Sequence, residues 1–256
     1  MTKEGTAFRL GVAWLLIAIS LLCSRLALGE DLTARQFIDR MQENTLSLED
    51  LSATLTIQTH RDGKVVLTQT MSIALKQPDR MRQEYLAPDY LAGNVTIIVG
   101  NAMSVYIAAS NQWYEKDLAS LSPSEQPWVL FRNMLRGVRS QFDDYAFARA
   151  DNVDPAQYHL VGTPETGGAI YGRIELWLDA TDYFPNRWVL YDTDGKFLVE
   201  SRFLEPTQVA EKATIPMRIE AYREDGTLQN VITYDQVVVN FGLSDSLFQR
   251  PEGTGG

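Results

Sequence analysis

The chain has 256 residues, of which 45% are hydrophobic and 22% charged, and its formal net charge is −10. This composition is typical of a globular protein and argues against a disordered, collagen-like or multi-span membrane protein. Acidic residues outnumber basic ones by 33 to 23, so nucleic acid is not an expected partner. With two histidines and one cysteine, structural zinc, a disulfide framework and most histidine-based catalysis are disfavoured.

The first 29 residues have the layout of a secretory signal peptide. Lys3 and Arg9 precede an apolar run that extends from residue 10 to residue 22, and Ala27 and Gly29 place small residues before a cleavage site. The apolar run is shorter than the roughly 20 residues that a membrane-spanning helix needs. We therefore predict that residues 1–29 are cleaved after export.

Two further expectations concern the mature chain. Lipid anchoring at Cys23 is the less favoured alternative, because Leu22 stands where lipoprotein signals carry a small residue. Residues 30–256 contain no linker, repeat or low-complexity tract before the short C-terminal tail. We expect them to form a single domain and a monomer.

Two helices are predicted. The first begins at Thr33, with Gln36 as its capping-box partner, and runs to about Asn44. The second has Ser122 as its N-cap and Glu125 as its capping-box partner. Its apolar stripe has helical spacing and consists of Trp128, Phe131, Leu135, Val138 and Phe142.

Much of the remaining chain alternates between apolar and polar residues with a period of two, as in an antiparallel sheet with one dry face. The apolar positions of four such stretches are Leu67, Met71, Ile73 and Leu75; Ile170, Ile174, Leu176 and Leu178; Phe197, Val199 and Phe203; and Ile215, Met217, Ile219 and Ala221. Tight turns are predicted at Asp62-Gly63, Gly100-Asn101, Asp194-Gly195 and Asp225-Gly226. The pattern predicts about ten or eleven strands in meander order.

A sheet of this size has a broad apolar face that two short helices must cover. Twist makes such a sheet curl, and the helix predicted at residues 123–141 is suited to lie across the opening as a lid. Side chains could fill the enclosed space; alternatively it is a cavity that accepts an acyl chain. The residues expected to line the cavity and lid are Leu67, Met71, Ile73, Leu75, Val105, Trp128, Phe131, Leu135, Val138, Ile174, Leu176, Leu178, Phe197, Val199, Met217 and Ile219.

Several short motifs occur in an order that resembles a known family. They are LKQPDRMRQEY at residues 75–85 with Pro88, IVGN at 98–101, WLD at 177–179 with FPNR at 184–187, YDQVVVN at 234–240 and SDSLFQRP at 244–251. Together they are similar to the LolA/LolB-type lipoprotein-localisation proteins, especially the outer membrane lipoprotein-sorting branch. The RseB N-terminal domain and LppX share this fold.

The resemblance implies a mainly β (α+β) protein, an unclosed and strongly curved antiparallel half-barrel with two helices covering its concave apolar face. It also implies residence in the periplasm and a chaperone-like role in which acyl chains of lipoproteins or lipids bind in a hydrophobic cavity. An envelope transporter or an outer-membrane acceptor would be the protein partner. The alternatives are an RseB-like sensing or interaction module and an accessory subunit of an envelope lipid exporter.

The chain departs from the carrier branch at one position. That branch has an arginine, which helps to close the lid, immediately before the proline of its first motif, whereas this chain has Gln77 before Pro78. Arg80 and Arg82 are therefore the candidates for a lid-closing role. The alternative for Arg82 is a solvated position on the strand surface.

The sequence contains no convincing catalytic or metal-binding pattern. His60 and His159 are far apart in the sequence, and adjacent carboxylates at Asp143 and Asp144 usually point apart into solvent. No phosphate-binding glycine motif, nucleophile elbow or HExxH helix is present in the sequence. We predict that the protein is not an enzyme and uses no cofactor or metal.

Overall fold

The computed structural model describes residues 32–43, 48–118, 142–151, 154–167 and 169–250. The described residues from Ala34 onward belong to one compact unit. The predicted signal peptide and the predicted helix at 123–141 lie outside the described residues. Within the described ranges, no helix has both the length and the apolar character needed to cross a lipid bilayer.

Helix α1 spans Ala34–Glu43 and agrees with the first predicted helix. Phe37, Ile38 and Met41 recur at helical spacing, so they lie on one side of the helix, and all three are buried. Arg40 lies in the last turn, where a positive charge interacts favourably with the helix dipole.

Within the described ranges, the remaining elements are thirteen strands and one short 3₁₀ helix. The strands are β1 (Asp50–Arg61), β2 (Lys64–Lys76), β3 (Arg80–Ala87), β4 (Val95–Val99), β5 (Ala102–Ile107), β6 (Gln112–Asp117), β7 (Tyr145–Arg149), β8 (Gln157–Pro164), β9 (Arg173–Asp179), β10 (Pro185–Tyr191), β11 (Phe197–Ala210), β12 (Ala213–Tyr222) and β13 (Leu228–Val239). The 3₁₀ helix spans Asp245–Phe248.

All thirteen strands form one sheet in the order β6-β5-β4-β3-β2-β1-β13-β12-β11-β10-β9-β8-β7. Every neighbouring pair is antiparallel. Because β1 pairs with β13, the first and last strands meet in the middle of the sheet. Strands β6 and β7, which lie on either side of residues 118–144 in the sequence, form its two edges. In the described part of the chain the sheet is unclosed, and the prediction of a mainly β protein is confirmed.

The predicted strand count of about ten or eleven was too low, because the described residues alone form thirteen strands. The edge strands explain the shortfall. β6 is six residues long and exposed at almost every position, and β7 is five residues long and mostly exposed. Neither strand carries the sustained alternation that identifies the central strands.

The predicted hairpin turns are confirmed. Asp62 and Gly63 have φ values of 53° and 71° between β1 and β2, as a two-residue hairpin loop requires. Gly100, Gly195 and Gly226 also have positive φ, at 60°, 79° and 78°. Glycine adopts this conformation without the steric cost that other residues meet.

The strand register assigns each side chain to one of two faces, because directly paired residues lie on the same face. We define the inner face as the one that carries Leu55, Met71 and Ile215, which belong to one buried cluster. We define the outer face as the one that carries Ala74 and Ile97. Helix α1 lies on the inner face, since Phe37 contacts Tyr158 of β8.

The C-terminal strap, residues 240–250, covers part of the outer face. Leu243 and Phe248 are buried against Ala74, Val95 and Ile97 of strands β2 and β4. Farther along, the guanidinium of Arg250 pairs with Glu115 at 2.9 Å. The strap therefore gives the outer face of the N-terminal strands an apolar cover.

Asp50 fastens the start of the strap. Its carboxylate is buried and accepts hydrogen bonds from the backbone N–H groups of Phe241, Gly242 and Leu243 at 3.0, 2.9 and 3.0 Å. Burial alone would raise the pKa of Asp50, but these three donors and the nearby Lys76 keep it below its ordinary value. The charged form of Asp50 therefore stabilises the fold.

Asp245 holds the strap at a second point. Its carboxylate lies 2.6 Å from the Lys76 ammonium and 2.5 Å from the Arg80 guanidinium. Hydrogen bonds from Arg80 and Lys76 lower the pKa of Asp245 from 3.8 to about 2. Arg80 therefore acts on the outer face, as a partner of the strap.

The depressed pKa of Asp245 predicts a pH dependence. Since the pKa is lower in the folded state, the contribution is complete above the ordinary value of 3.8 and is lost as the pH falls towards about 2. We expect Asp245→Asn to lower the thermal midpoint at pH 6, and we expect the difference from wild type to vanish near pH 2. The turn variant Asp62→Asn serves as the control. A difference that persisted at pH 2 would contradict this reading of the pair.

Candidate functional site

The inner face carries apolar side chains on most of its strands. Its central strands contribute a buried cluster that includes Leu51, Ala53, Leu55, Met71 and Ile73. These residues lie in the first half of β1 and the last half of β2, which pair with each other. Their alternation with threonines and serines of the other face follows from the pleat of the strands.

The two lateral ends of the inner face are filled by protein side chains. At the β3–β5 end, Met81, Ile98 and Met103 pack together with Leu118, and all four are at most 2% exposed. The β7–β9 end has its own fully buried set: Leu160, Ile174, Leu176 and Leu178.

Helix α1 covers the second of these ends. The Phe37 ring lies 4.3 Å from that of Tyr158 and 6.0 Å from that of Tyr183, measured between ring centroids. Tyr158 pairs directly with Leu178 across β8 and β9. The helix therefore packs on the strands near one edge, and it leaves the middle of the sheet to other parts of the chain.

The middle of the inner face is less covered. We call this region the central inner patch; its half-buried members are Ile57, Leu75, Tyr85, Val199, Phe203, Met217, Ile219, Ile232 and Tyr234. These large side chains come from β1, β2, β3 and β11–β13. A contiguous apolar area that its own protein leaves partly accessible is typical of a binding site.

The residues that border the predicted lid segment both lie on the inner face. Leu118 precedes it and packs against Met81 and Met103 near one edge of the sheet. Phe142 follows it and contacts Phe147 and Trp188 near the other edge, with ring-centroid distances of 5.7 and 5.6 Å. Leu118 and Phe142, which flank residues 119–141 in the sequence, therefore both lie on the face that carries the central inner patch.

Two polar groups of the inner face lie in apolar surroundings. Desolvation raises the pKa of Tyr234 to about 12, so its hydroxyl stays protonated at physiological pH. The indole N–H of Trp188 is buried, and no described residue accepts a hydrogen bond from it. The Trp188 ring contacts Phe203 at 5.0 Å, which places this tryptophan beside the central inner patch.

Most of the described residues that the sequence predicted as cavity lining lie together on the inner face. The register places there Leu67, Met71, Ile73, Leu75, Val105, Ile174, Leu176, Leu178, Val199, Met217 and Ile219. They differ in burial. Ile174, Leu176 and Leu178 are fully buried, whereas Leu75, Met217 and Ile219 are half-buried members of the central inner patch.

The structure places Phe197 elsewhere. The register between β10 and β11 shifts by one residue after Leu190, so Phe197 pairs with Tyr191. The Phe197 ring lies edge-on to the Tyr191 ring at 6.1 Å, and the Arg173 guanidinium lies over Tyr191 on the outer face. The strict alternation that put Phe197 beside Val199 did not allow for this β-bulge.

The lid candidates have mixed outcomes. Trp128, Phe131, Leu135 and Val138 lie outside the described residues. Arg80 and Arg82 both lie on the outer face, where Arg80 pairs with Asp245 and Arg82 pairs with Glu84 at 3.0 Å. Their side chains therefore serve the strap and the strand surface, and neither faces the central inner patch.

The inner-face residues that were not among the predicted site residues include Trp188, Tyr234 and Gln83. A signal for Trp188 existed in the sequence, because it alternates with the polar-side Arg187 in a β-rich stretch. Tyr234 could have been found from its alternation with Thr233 and Asp235. The position of Gln83 among apolar residues is visible only once β3 is paired with its neighbours.

The outer face of β8–β12 carries an ordered row of aromatic and charged side chains. The Trp177 ring lies between the imidazole of His159, stacked at 4.2 Å, and the guanidinium of Arg187, also at 4.2 Å. Arg187 then pairs with Glu200 at 2.6 Å, and Glu200 also binds Arg202 at 2.8 Å. The carboxylate is largely buried while both guanidinium groups remain partly exposed.

This arrangement defines the surroundings of His159 and Trp177. His159 contacts Glu175, with its Nε2 3.0 Å from the carboxylate, and no hydroxyl or thiol nucleophile is among its described contacts. Trp177 is an outer-face residue, because it alternates along β9 with the inner-face residues Leu176 and Leu178. Among the described residues, no group of three or more His, Cys, Asp or Glu side chains is arranged to hold a metal ion.

Comparison with solved structures identifies the fold. A LolA superfamily protein from Nitrosomonas europaea aligns with a TM-score of 0.64 and 16% identity, over 86% of this chain and 98% of that one. A DUF1329 family protein from Desulfovibrio piger aligns with a TM-score of 0.67 and 19% identity, over 85% and 97% of the two chains. A domain described as an outer membrane lipoprotein-sorting protein, from Vibrio parahaemolyticus, aligns with a TM-score of 0.66 and 16% identity, over 84% of this chain and 97% of that one.

These likenesses show that the chain has the LolA-type fold, as its sequence motifs predicted. The sequence comparisons add little about function. A family model described only as an uncharacterized protein matches residues 133–252. No curated protein matches the sequence.

Proposed function

We propose that the protein is a periplasmic carrier that binds acyl chains of lipoproteins or lipids on the central inner patch and takes part in their sorting to the outer membrane. The observation that carries this proposal is the half-buried apolar middle of the inner face, between two ends that are filled by protein side chains. Each methylene group transferred from water to such a surface contributes about 0.8 kcal/mol. A long acyl chain therefore supplies ample binding free energy.

The ends of the predicted lid segment support the same proposal. Leu118 and Phe142 lie on the inner face near opposite edges of the sheet. The predicted helix between them carries an apolar stripe of the kind that covers an apolar face. In this proposal residues 123–141 cover the bound acyl chain, and Trp128, Phe131, Leu135 and Val138 contact it.

The proposal includes location and partners. The predicted signal peptide exports the chain, cleavage leaves residues 30–256, and the mature monomer receives its cargo from a membrane donor such as an envelope transporter and delivers it to an outer-membrane acceptor. One of the solved structures with the same fold, that from Vibrio parahaemolyticus, is named for lipoprotein sorting. No catalytic step is required, because transfer of an acyl chain between apolar sites makes and breaks no covalent bond.

Mass spectrometry of the protein purified from the cell envelope tests the proposal. We expect the native spectrum to contain an added mass that is lost under denaturing conditions and is recovered as an acyl lipid. The denatured mass should correspond to a chain that begins at Glu30. The absence of bound lipid, together with failure of the delipidated protein to bind a fluorescent fatty-acyl probe, would reject the carrier function.

The predicted lid gives a second test. We expect Trp128→Ala and Leu135→Asp to weaken binding of the fluorescent acyl probe, because the first removes an apolar contact and the second places a charge beside the chain. Leu198→Asp is the control, since Leu198 is exposed in β11. Equal probe affinity in Leu135→Asp and Leu198→Asp would exclude residues 123–141 from the binding site.

A second candidate function, an envelope interaction module, rests on the outer face. Arg187 and Arg202 present partly exposed guanidinium groups stacked on Trp177 and Tyr222, and arginine, tryptophan and tyrosine dominate protein-binding hot spots. This function predicts that a pull-down with the protein recovers one envelope protein in stoichiometric amount. Bound lipid should not change the affinity of that complex. Loss of that recovery in Arg187→Ala, with acyl-probe binding intact, would favour it.

A further inference from the structure

One buried polar atom of the inner face, the side-chain oxygen of Gln83, has no hydrogen-bond partner among the described residues. Gln83 of β3 is 2% exposed, and its oxygen Oε1 is buried with no hydrogen bond in the part of the chain that the structure describes. A buried carbonyl that leaves water without gaining a donor destabilises the fold. An apolar residue would fit this position better, unless the oxygen has a partner that the protein does not itself supply.

The strand register gives Gln83 a particular position. It pairs with Ile73 on β2 and with Thr96 on β4, and Thr96, which is 3% exposed, pairs with Val105 on β5. Gln83 and Thr96 are thus two buried polar residues in an otherwise apolar row. Along β3, the inner-face neighbours of Gln83 are Met81, at the filled end, and Tyr85, in the central inner patch.

Gln83 therefore stands at the border between the filled end and the binding surface. We infer that its Oε1 accepts a hydrogen bond from the polar head of a ligand whose hydrocarbon chain occupies the central inner patch. The ligand class is then acyl or alkyl compounds with an N–H or O–H donor at the head of the chain, such as an N-acyl amide or an alcohol. This inference rests on the proposed function, because it states which acyl compounds the patch prefers.

Displacement of a fluorescent fatty-acyl probe by three competitors of equal chain length tests the inference. The competitors are an N-acyl amide with an N–H donor, a fatty alcohol with an O–H donor, and a fatty-acid methyl ester with no donor. We expect at least one of the two donor compounds to bind about fivefold to tenfold more tightly than the ester, the range expected for one hydrogen bond. The compound that is preferred identifies whether the amide or the hydroxyl is recognised.

The variant Gln83→Leu separates recognition from packing. We expect it to reduce the preference to less than about twofold while the ester binds as before. It should also raise the thermal midpoint of the ligand-free protein, because leucine has nearly the same volume and no unpartnered oxygen. Gln58→Leu, on the outer face of β1, is the matched control and should leave the preference unchanged.

The outcomes distinguish this inference from the proposed function. Equal affinities for all three competitors in the wild type, or a preference that survives in Gln83→Leu, would overturn the role of Gln83 while leaving acyl binding established. Failure of the wild type to bind the probe and every competitor would overturn the carrier function, and the role of Gln83 with it.

Discussion

Replacement of Asp50 by alanine is expected to lower the free energy of unfolding by about 3 kcal/mol. The side chain accepts hydrogen bonds from three consecutive backbone N–H groups, those of Phe241, Gly242 and Leu243. Alanine removes all three acceptor contacts at once and leaves the buried N–H of Leu243 without a partner. The same strap carries Phe248, which packs on β2 and β4.

Denaturant unfolding of Asp50→Ala and Asp50→Asn measures this effect. The asparagine variant keeps one side-chain oxygen and loses the charge, so its loss of stability should be smaller than that of alanine. Because the pKa of Asp50 is depressed in the folded state, the stabilisation by its charge is expected to decline as the pH falls below its ordinary value of 3.8. Wild-type stability in Asp50→Ala would show that the strap does not depend on this carboxylate.

A carboxylate at the centre of the binding surface is expected to weaken acyl binding by at least about tenfold. In Ile219→Asp the new charge faces Ile232 of β13 and Phe203 of β11, with which Ile219 pairs directly. A bound acyl chain would bury this charge without a partner, and such burial costs several kcal/mol, whereas 1.4 kcal/mol already corresponds to a tenfold change in affinity. Since Ile219 is only half-buried in the ligand-free protein, we expect the variant to fold.

Titration of the fluorescent acyl probe against Ile219→Asp checks this expectation. Val238→Asp is the matched control, because Val238 lies on the outer face of β13 and is 51% exposed. Circular dichroism of both variants shows whether the sheet is intact. Probe binding by folded Ile219→Asp at wild-type affinity would remove the central inner patch from the site.

Local sequence chemistry was sufficient for many elements of this fold. Helix α1 followed from its cap and from the spacing of Phe37, Ile38 and Met41. The hairpin at Asp62-Gly63 followed from the need for positive φ at both positions. The inner-face assignment of β9 and β12 followed from strict alternation, because neither strand has a bulge between its apolar positions.

Other features depend on contacts that alternation does not encode. The pairing of β1 with β13 joins the two ends of the described chain, and no local signal distinguishes it from a continued meander. Phe197 changed face because one additional residue was accommodated in β11 opposite Tyr191. Arg80 forms a salt bridge with Asp245, which is distant in sequence. In each case the tertiary register decided the position of the side chain.

The sequence predicted the apolar residues of the candidate site more accurately than its polar ones. Met217 and Ile219 were expected in the apolar lining, and the structure places both in the central inner patch. The polar residue Gln83 was not expected there, because a glutamine between Arg82 and Glu84 is typical of a solvent-exposed strand position. Its burial follows from the pairing of β3 with two apolar neighbours.

Fluorescence quenching by a brominated acyl chain tests the central claim most directly, because bromine quenches tryptophan only over short distances. Single-tryptophan variants would retain either Trp188, on the inner face beside Phe203, or Trp177, on the outer face between His159 and Arg187. We predict saturable quenching of Trp188 with little change at Trp177. Equal quenching of both tryptophans, or quenching of Trp177 alone, would contradict binding on the inner face.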